Sequence, residues 1–363
     1  AEERLIDKHN QALLLLPRVF TEQADFSATV SDPPWSNYSV FTDLRPFEDY
    51  GKISAVQTKE CYNEAWFKLH PESKAYDNTE AILKRNLLFF SFFREAPICL
   101  REFIYHHGAY WSSDIEAKDF KTVMNSYAVL DLLPELTDFD AETGSYIAIT
   151  NELPHEDYFL QAPDYRFAQT VSNRGTSKFK DDAFYHTNMA SLKMLGTWIK
   201  YLKENDVYDN TRIIMVSDHG GSDKEDVFEA DAELDARVAG SIYKGRGHYH
   251  CLLLYKDFGA SGSLKTDDSF MTNADVPSLL LKGLIEKPMN PFTGKEIPTD
   301  TEPYKKDGVF ITTSDMHQAG WNGKFTFSIK ESEWWHVKEN IFKAKNWTQE
   351  SPFAKEHNDD EDK

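Results

Sequence analysis

Cysteine is scarce in this chain: Cys61, Cys99 and Cys251 are the whole supply, too few and too scattered for a disulfide framework or a Cys-based zinc site. Cys251 lies in an apolar run, where a buried free thiol is the expectation, and the redox compartment stays open. No run approaches the roughly 20 apolar residues of a membrane-crossing helix; the richest stretch, Asn86 to Phe93, is short and closes with Arg94 and Glu95. A basic excess is also lacking, since 40 Lys plus Arg stand against 60 Asp plus Glu for a net charge of −20. That balance repels phosphate backbones and removes nucleic acid as the main partner. No repeat recurs at solenoid periods. Neither a starting Met nor a leader precedes Ala1-Glu2-Glu3, which suits a segment of a longer protein.

What is present is enough for a core: 363 residues, 40% of them hydrophobic, suit one large α/β domain with an appendage or two ordinary domains. Residues 8–20 read as a helix, with the apolar run Ala12 to Leu16 ending at Pro17. Phe26 to Val30 alternates as a strand does, and Asp32-Pro33-Pro34 is a loop. From about 60 to 142 the pattern is helical and crowded with Phe89, Phe90, Phe92, Phe93, Phe103, Tyr105, Tyr110 and Trp111, for which aromatic packing inside a helical insertion is expected.

Ser145 to Thr150 reads as a buried strand and residues 184–204 as an amphipathic helix that packs on a sheet. Thr211 to Ser217 reads as a central parallel strand, Cys251 to Tyr255 as a further strand, and Leu279 to Leu284 as helical. This alternation predicts a mostly parallel sheet covered on both faces. Beyond Pro288 the texture turns to Pro, Gly, Lys and Thr. Two β-like runs, Val309 to Thr313 and Lys324 to Ile329, then lead to Trp334, Trp335 and Trp347 and an acidic tail, His357 to Lys363, expected to be disordered.

Ligands of open α/β sheets bind beyond the carboxyl ends of the strands, and Asp218 and His219 stand where an apolar strand stops, followed by Gly220 and Gly221. A carboxylate and an imidazole in succession can share one divalent ion. Spacing alone leaves open that Asp218 caps the following segment and His219 is an exposed loop residue. His155, after Pro154, is either a site residue or a loop histidine paired with Glu156 or Asp157. His248 and His250 would point the same way on an extended segment or merely flank a strand mouth. His186 fits helix packing better than a site, His106 and His107 diverge as neighbours, and His317 and His336 carry no assigned role.

The ordered stretch Tyr208-Asp-Asn-Thr-Arg-Ile-Ile-Met-Val-Ser-Asp-His-Gly220 resembles the signature of the sulfatase family of the alkaline phosphatase superfamily: a "DNT" turn, an apolar strand, then "SDHG". The resemblance extends to the preceding helix, Tyr185 to Lys203, and to His155 in Asn151-Glu-Leu-Pro-His155, and covers roughly 145–285. Asn10 to Asn37 more distantly resembles a helix, strand and "DPP" loop of bacterial membrane-anchored sulfatase-like proteins.

The resemblance implies a three-layer α/β sandwich of the alkaline phosphatase kind with a mostly parallel central sheet. It assigns 1–288 to that domain without its first strand and with the helical insertion of about 60–142, while the change of composition sets off 289–350 as a small β-rich subdomain and 351–363 as the tail. It implies that Asp218 and His219 bind a divalent metal ion (Zn, Mn, Ca or Mg), that His155 contacts the transferred group or the leaving oxygen, and that His248 or His250 does similar work.

The family's nucleophile and its N-terminal acidic metal ligand have no counterpart here. The Cys-x-Pro-x-Arg pattern of formylglycine is absent, because Cys61 is followed by Tyr-Asn-Glu and Cys99 by Leu-Arg-Glu. The function so implied is metal-dependent hydrolysis of a sulfate or phosphate ester, on a small molecule, glycan or lipid head group, by an incomplete catalytic domain. Alternatives are phosphoglycerol or phosphoethanolamine transfer to envelope polymers or lipids, and a noncatalytic carbohydrate- or envelope-binding remnant. The implied location is extracytoplasmic, with membrane attachment only through segments upstream.

Overall fold

Short apolar runs bounded by turn residues become strands, and longer runs with helical spacing become helices. The structure, a computed structural model, describes residues 4–76, 79–106, 115–168, 170–221, 228–238, 245–299, 307–313 and 330–353. In chain order the elements are α1 (Leu5–Gln23), β1 (Ser27–Ser31), β2 (Ile53–Val56), α2 (Asn63–Leu69), α3 (Thr79–Glu95), α4 (Ile98–Tyr105), α5 (Ile115–Asp131), α6 (Leu133–Leu136), β3 (Ser145–Ile149) and α7 (Ala183–Glu204). They continue as β4 (Ile213–Val216), α8 (Ala232–Val238), β5 (Leu253–Lys256), α9 (Val276–Leu281), β6 (Val309–Thr312), β7 (Trp334–Val337) and β8 (Trp347–Gln349). The fold is mixed α/β, with one three-stranded parallel sheet and two smaller antiparallel sheets.

The chain divides into two compact units. One comprises 28–35 and 40–208, the other 1–27, 36–39 and 209–363. We call them the parallel-sheet unit and the antiparallel-sheet unit.

In the parallel-sheet unit the strand order is β2-β1-β3, and β1 runs parallel to β2 with Ala28 opposite Ile53 and Ser31 opposite Val56. The chain goes from β1 to one neighbour and then across to the other, so a topological switch point lies between β1 and β3. The core is helical: Phe120, Val123, Met124 and Tyr127 of α5 pack with Ala190 and Met194 of α7 and with Leu153, Leu160 and Tyr165 of the intervening segment. Residues 184–204 thus form the expected helix, but its buried face joins α5 rather than a sheet. Ser145 to Ile149 is a strand, yet Ile147 and Ile149 are 62% and 44% exposed, so the expectation of a buried strand does not hold. The aromatic crowd of 60–142 is not an interior cluster either, because Phe90, Phe92, Phe103 and Tyr105 are all exposed. Tyr110 and Trp111 lie outside the described residues.

In the antiparallel-sheet unit α1 contains the helix expected over 8–20, with Pro17 inside it. β4 pairs with β5 antiparallel, with Ile213 opposite Lys256 and Val216 opposite Leu253, which corrects the expected central parallel strand. An apolar run tells a strand to be partly covered but does not fix its neighbour's direction. Arg212, just ahead of β4, donates to Asp257 at 2.7 and 2.9 Å and to the carbonyls of Leu280 and Lys282 at 2.7 and 2.8 Å, closing the end of α9. β6, β7 and β8 form a meander whose Trp335, Val337 and Trp347 pack on Leu234 and Val238 of α8. Lys324 to Ile329, the tail from His357 and His317 lie outside the described residues. Among the described residues no helix is long and apolar enough to cross a membrane.

Candidate functional site

The corner after β4 is held by backbone and side-chain hydrogen bonds. Beyond the last β4–β5 pair, Ser217 N donates to Leu252 O at 3.1 Å, and Leu252 N donates to Ser217 Oγ at 2.8 Å. Asn273 Nδ2 donates to Ser217 O at 2.9 Å, and Gly220 N donates to His248 O at 2.8 Å. Gly220 is required there, because a Cβ on it would collide with the carbonyl oxygens of Gly247 and His250. Asp218 and His219 are therefore fixed between two anchored residues.

Their side chains face outward. The Asp218 carboxylate is 92% exposed, and its Oδ1 accepts from His219 N at 3.0 Å. His219 Nδ1 lies 2.7 Å from Gly220 O; a carbonyl only accepts, so the ring proton sits on Nδ1 and Nε2 carries the lone pair. That Nε2 is 3.9 Å from Asp218 Oδ2. The His248 ring lies 4.6 Å from the His219 ring, centroid to centroid. Burial, and then the neighbouring His219, push the His248 imidazolium down to about 4 against the pull of Asp218, so the ring is neutral at ordinary pH.

The corner supplies a carboxylate and imidazole nitrogens, a donor set suited to zinc or manganese. Two ligands about 2.0–2.1 Å from a tetrahedral ion stand roughly 3.3 Å apart, close to the observed 3.9 Å between Asp218 and His219. The pair fits as part of a shell; among the described residues no three His, Cys, Asp or Glu side chains converge on one point.

The remaining candidates fall elsewhere. His250 does not point with His248, because Arg246–Tyr249 is a tight 3-10 turn rather than an extended segment; its ring sits edge-on to Phe228 and Phe342 at 6.0 and 5.0 Å. Cys251 is half-buried, with Sγ donating to Asp218 O at 3.4 Å. Burial and then Asp218 raise its thiol, against a hydrogen bond with Asn273.

His155 belongs to the parallel-sheet unit, exposed at the end of the turn Leu153–His155. His186 is fully buried, its Nδ1 against the Leu160 backbone and its Nε2 2.8 Å from Lys180 O, which is a packing role. His106 ends α4 in a left-handed conformation, and His107 is outside the described residues. His336 stacks on Phe310 with ring centroids 4.2 Å apart.

Sequence reasoning missed a crevice in the parallel-sheet unit, at the carboxyl ends of its strands, lined by Asp32, Thr58, Lys59, Asn125, Asn151 and Glu152. Asp32 accepts from Thr58 N at 3.1 Å, Lys59 N at 3.2 Å and the Thr58 hydroxyl, while Lys59 pairs with Glu152. Its signal was the stop of β1 at Asp32, which gains meaning only once β2, four residues with a small central Ala55, is recognised as the partner strand.

In comparison with known proteins, no family model, curated protein or solved structure matches the chain.

Proposed function

We propose that the Asp218–His219 corner is part of a divalent-metal centre that handles the oxyanion of a sulfate or phosphate ester, and that the chain is an α/β hydrolase segment of the sulfatase kind. The reading extends the mixed α/β architecture to a three-layer sandwich with an exported, membrane-attached parent. The observation that carries it is the pair of outward donors at the end of β4, held by the contacts around Gly220, with His219 Nε2 3.9 Å from Asp218 Oδ2.

Asp218 and His219 would hold the metal, which when bound would neutralise charge on the non-bridging oxygens of the ester and on a displaced oxygen. The chain's own residues set up that chemistry. The Gly220 carbonyl accepts the Nδ1 proton of His219 and so directs the Nε2 lone pair outward. His248, neutral through burial, offers a second imidazole without adding positive charge before an ion arrives. The Asp218 carboxylate stands in solvent, with the His219 amide fixing one of its oxygens.

The test is phosphorus relaxation of inorganic phosphate titrated into the protein with Mn²⁺. Phosphate and ion on one site give a relaxation enhancement that Asp218→Asn removes and that sulfate competes away. An enhancement unchanged in Asp218→Asn would overturn the proposal.

A further inference from the structure

His248 reaches the metal corner on the short turn Arg246–Tyr249. A single turn of 3-10 helix carries too few backbone bonds to fix its own direction, so whatever grips its ends sets where the His248 ring stands. Both ends are gripped, and both grips lead to α8 and the β6–β8 meander.

At the first end Arg246 is 1% exposed. Its Nε donates to Asp235 Oδ1 at 2.7 Å, and its Nη2 donates to Asp235 Oδ2 at 3.3 Å and to Glu229 O at 2.5 Å, with the guanidinium 5.2 Å from the Phe228 ring. Asp235 belongs to α8. Glu229 is bonded in turn to the segment between β7 and β8: its amide donates to Phe342 O at 2.9 Å and its Oε2 accepts from Ala344 N at 3.1 Å. At the other end Tyr249 Oη donates to Thr312 O of β6 at 3.1 Å, and its ring meets the Trp347 ring of β8 at 5.9 Å. Burial pushes the Tyr249 phenol up to about 12, so the hydroxyl keeps the proton it donates.

Stability alone does not account for the first grip. Taking a guanidinium out of water is costly, and apolar side chains of similar volume commonly serve stability as well or better. Here Nη1 is also buried without a partner among the described residues, a further cost. What the fork on Asp235 adds over apolar packing is a fixed direction. Between the two grips the turn meets the corner twice: His248 O accepts from Gly220 N at 2.8 Å, and the His248 ring lies 4.6 Å from the His219 ring.

We infer that Arg246, through Asp235, and Tyr249, through Thr312, are positioning residues that hold His248 against His219, so that α8 and the β6–β8 meander shape the donor set of the metal corner. Their chemical purpose rests on the metal-centre reading, while the ring contact they set up exists without an ion.

The test uses the full chain. In the metal-free wild type, nuclear Overhauser contacts join the ring protons of His219 and His248, and a calorimetric Zn²⁺ titration gives the reference affinity. Tyr249→Phe keeps the ring in its cluster and deletes only the donor, whereas Asp235→Asn weakens the grip on Arg246. Each is expected to lose the ring contact before any metal is added and to weaken Zn²⁺ binding about tenfold, and Asp235→Glu to recover part of both. Val19→Ala, which trims a fully buried side chain of α1 outside this cluster, lowers the melting temperature and leaves ring contact and affinity unchanged. Should Asp235→Asn unfold, Tyr249→Phe decides alone. A ring contact that persists in Tyr249→Phe, or that Val19→Ala abolishes equally, would overturn the inference. A wild type that shows the ring contact but binds no Zn²⁺ would instead overturn the metal-centre reading, and with it the purpose of the two grips.

Discussion

The same tripeptide, Val-Ser-Asp, ends two strands of this protein, and the two aspartates meet opposite fates. After β1, Asp32 turns inward, takes a left-handed backbone with φ 47°, and its carboxylate collects the Thr58 amide and hydroxyl and the Lys59 amide. After β4, Asp218 turns out, 92% exposed, with a single backbone donor. The serines differ as well: Ser31 Oγ is buried without a partner, whereas Ser217 Oγ accepts from Leu252 N. A strand-end aspartate is thus structural or available according to what the neighbouring strand presents. Asp32 faces the end of parallel β2, which offers amides, and Asp218 faces a segment whose amides and carbonyls are already engaged with Ser217 and Gly220.

The largest expected difference is in stability. Asp32→Ala strands the Thr58 and Lys59 donors and costs about 2–3 kcal/mol, while Asp218→Ala stays within about 0.5 kcal/mol of wild type; urea unfolding of the two variants measures both. Equal losses would erase the distinction between the two corners.

A slightly smaller effect is expected at the glycines. Gly220→Ala pushes a methyl against Gly247 and His250 backbone and costs about 1–3 kcal/mol, with loss of metal affinity. Gly221→Ala, with nothing within 4 Å of the new Cβ, is tolerated, and thermal melts beside metal titrations separate the two.

The pH dependence sharpens the Asp218 side. His248 is held down to about 4 in the folded protein, below its ordinary value of about 6.5. The unfolded chain therefore takes up a proton first, and this contribution to stability is intact above pH 6.5 and is lost as pH falls toward 4. His248→Gln removes that slope, read from melting temperatures across the window; an identical slope in the variant would contradict the assignment.

The smallest effect is at the crevice, where Glu152→Gln breaks a partly exposed pair with Lys59 and shifts stability by no more than about 1 kcal/mol.

Much of the local structure was legible in the sequence. The apolar run ending in Ser-Asp-His-Gly gave β4 and its corner, the helical spacing of Leu195, Trp198 and Leu202 gave α7, and the packing role of His186 followed from its place in a helix. What stayed hidden depends on partners. β2 is too short and too weakly apolar to stand out, so the crevice around Asp32 was invisible. The direction of the β4–β5 pair is fixed by hydrogen bonding at its ends rather than by composition. The aromatic run of α3 announces apolar faces but not whether protein covers them, and the structure leaves Leu87 and Phe92 at the surface. His248 and His250 diverge because Gly245, at φ 76°, precedes a tight turn where a strand was assumed.

The most direct measurement is a calorimetric titration of Zn²⁺ and Mn²⁺ into the wild type, Asp218→Asn, His219→Ala and Glu152→Gln. The account predicts saturable binding in the wild type and in Glu152→Gln, and its loss in Asp218→Asn and His219→Ala at unchanged melting temperature. Binding that survives both of those substitutions, or a wild type that binds neither ion, would contradict it.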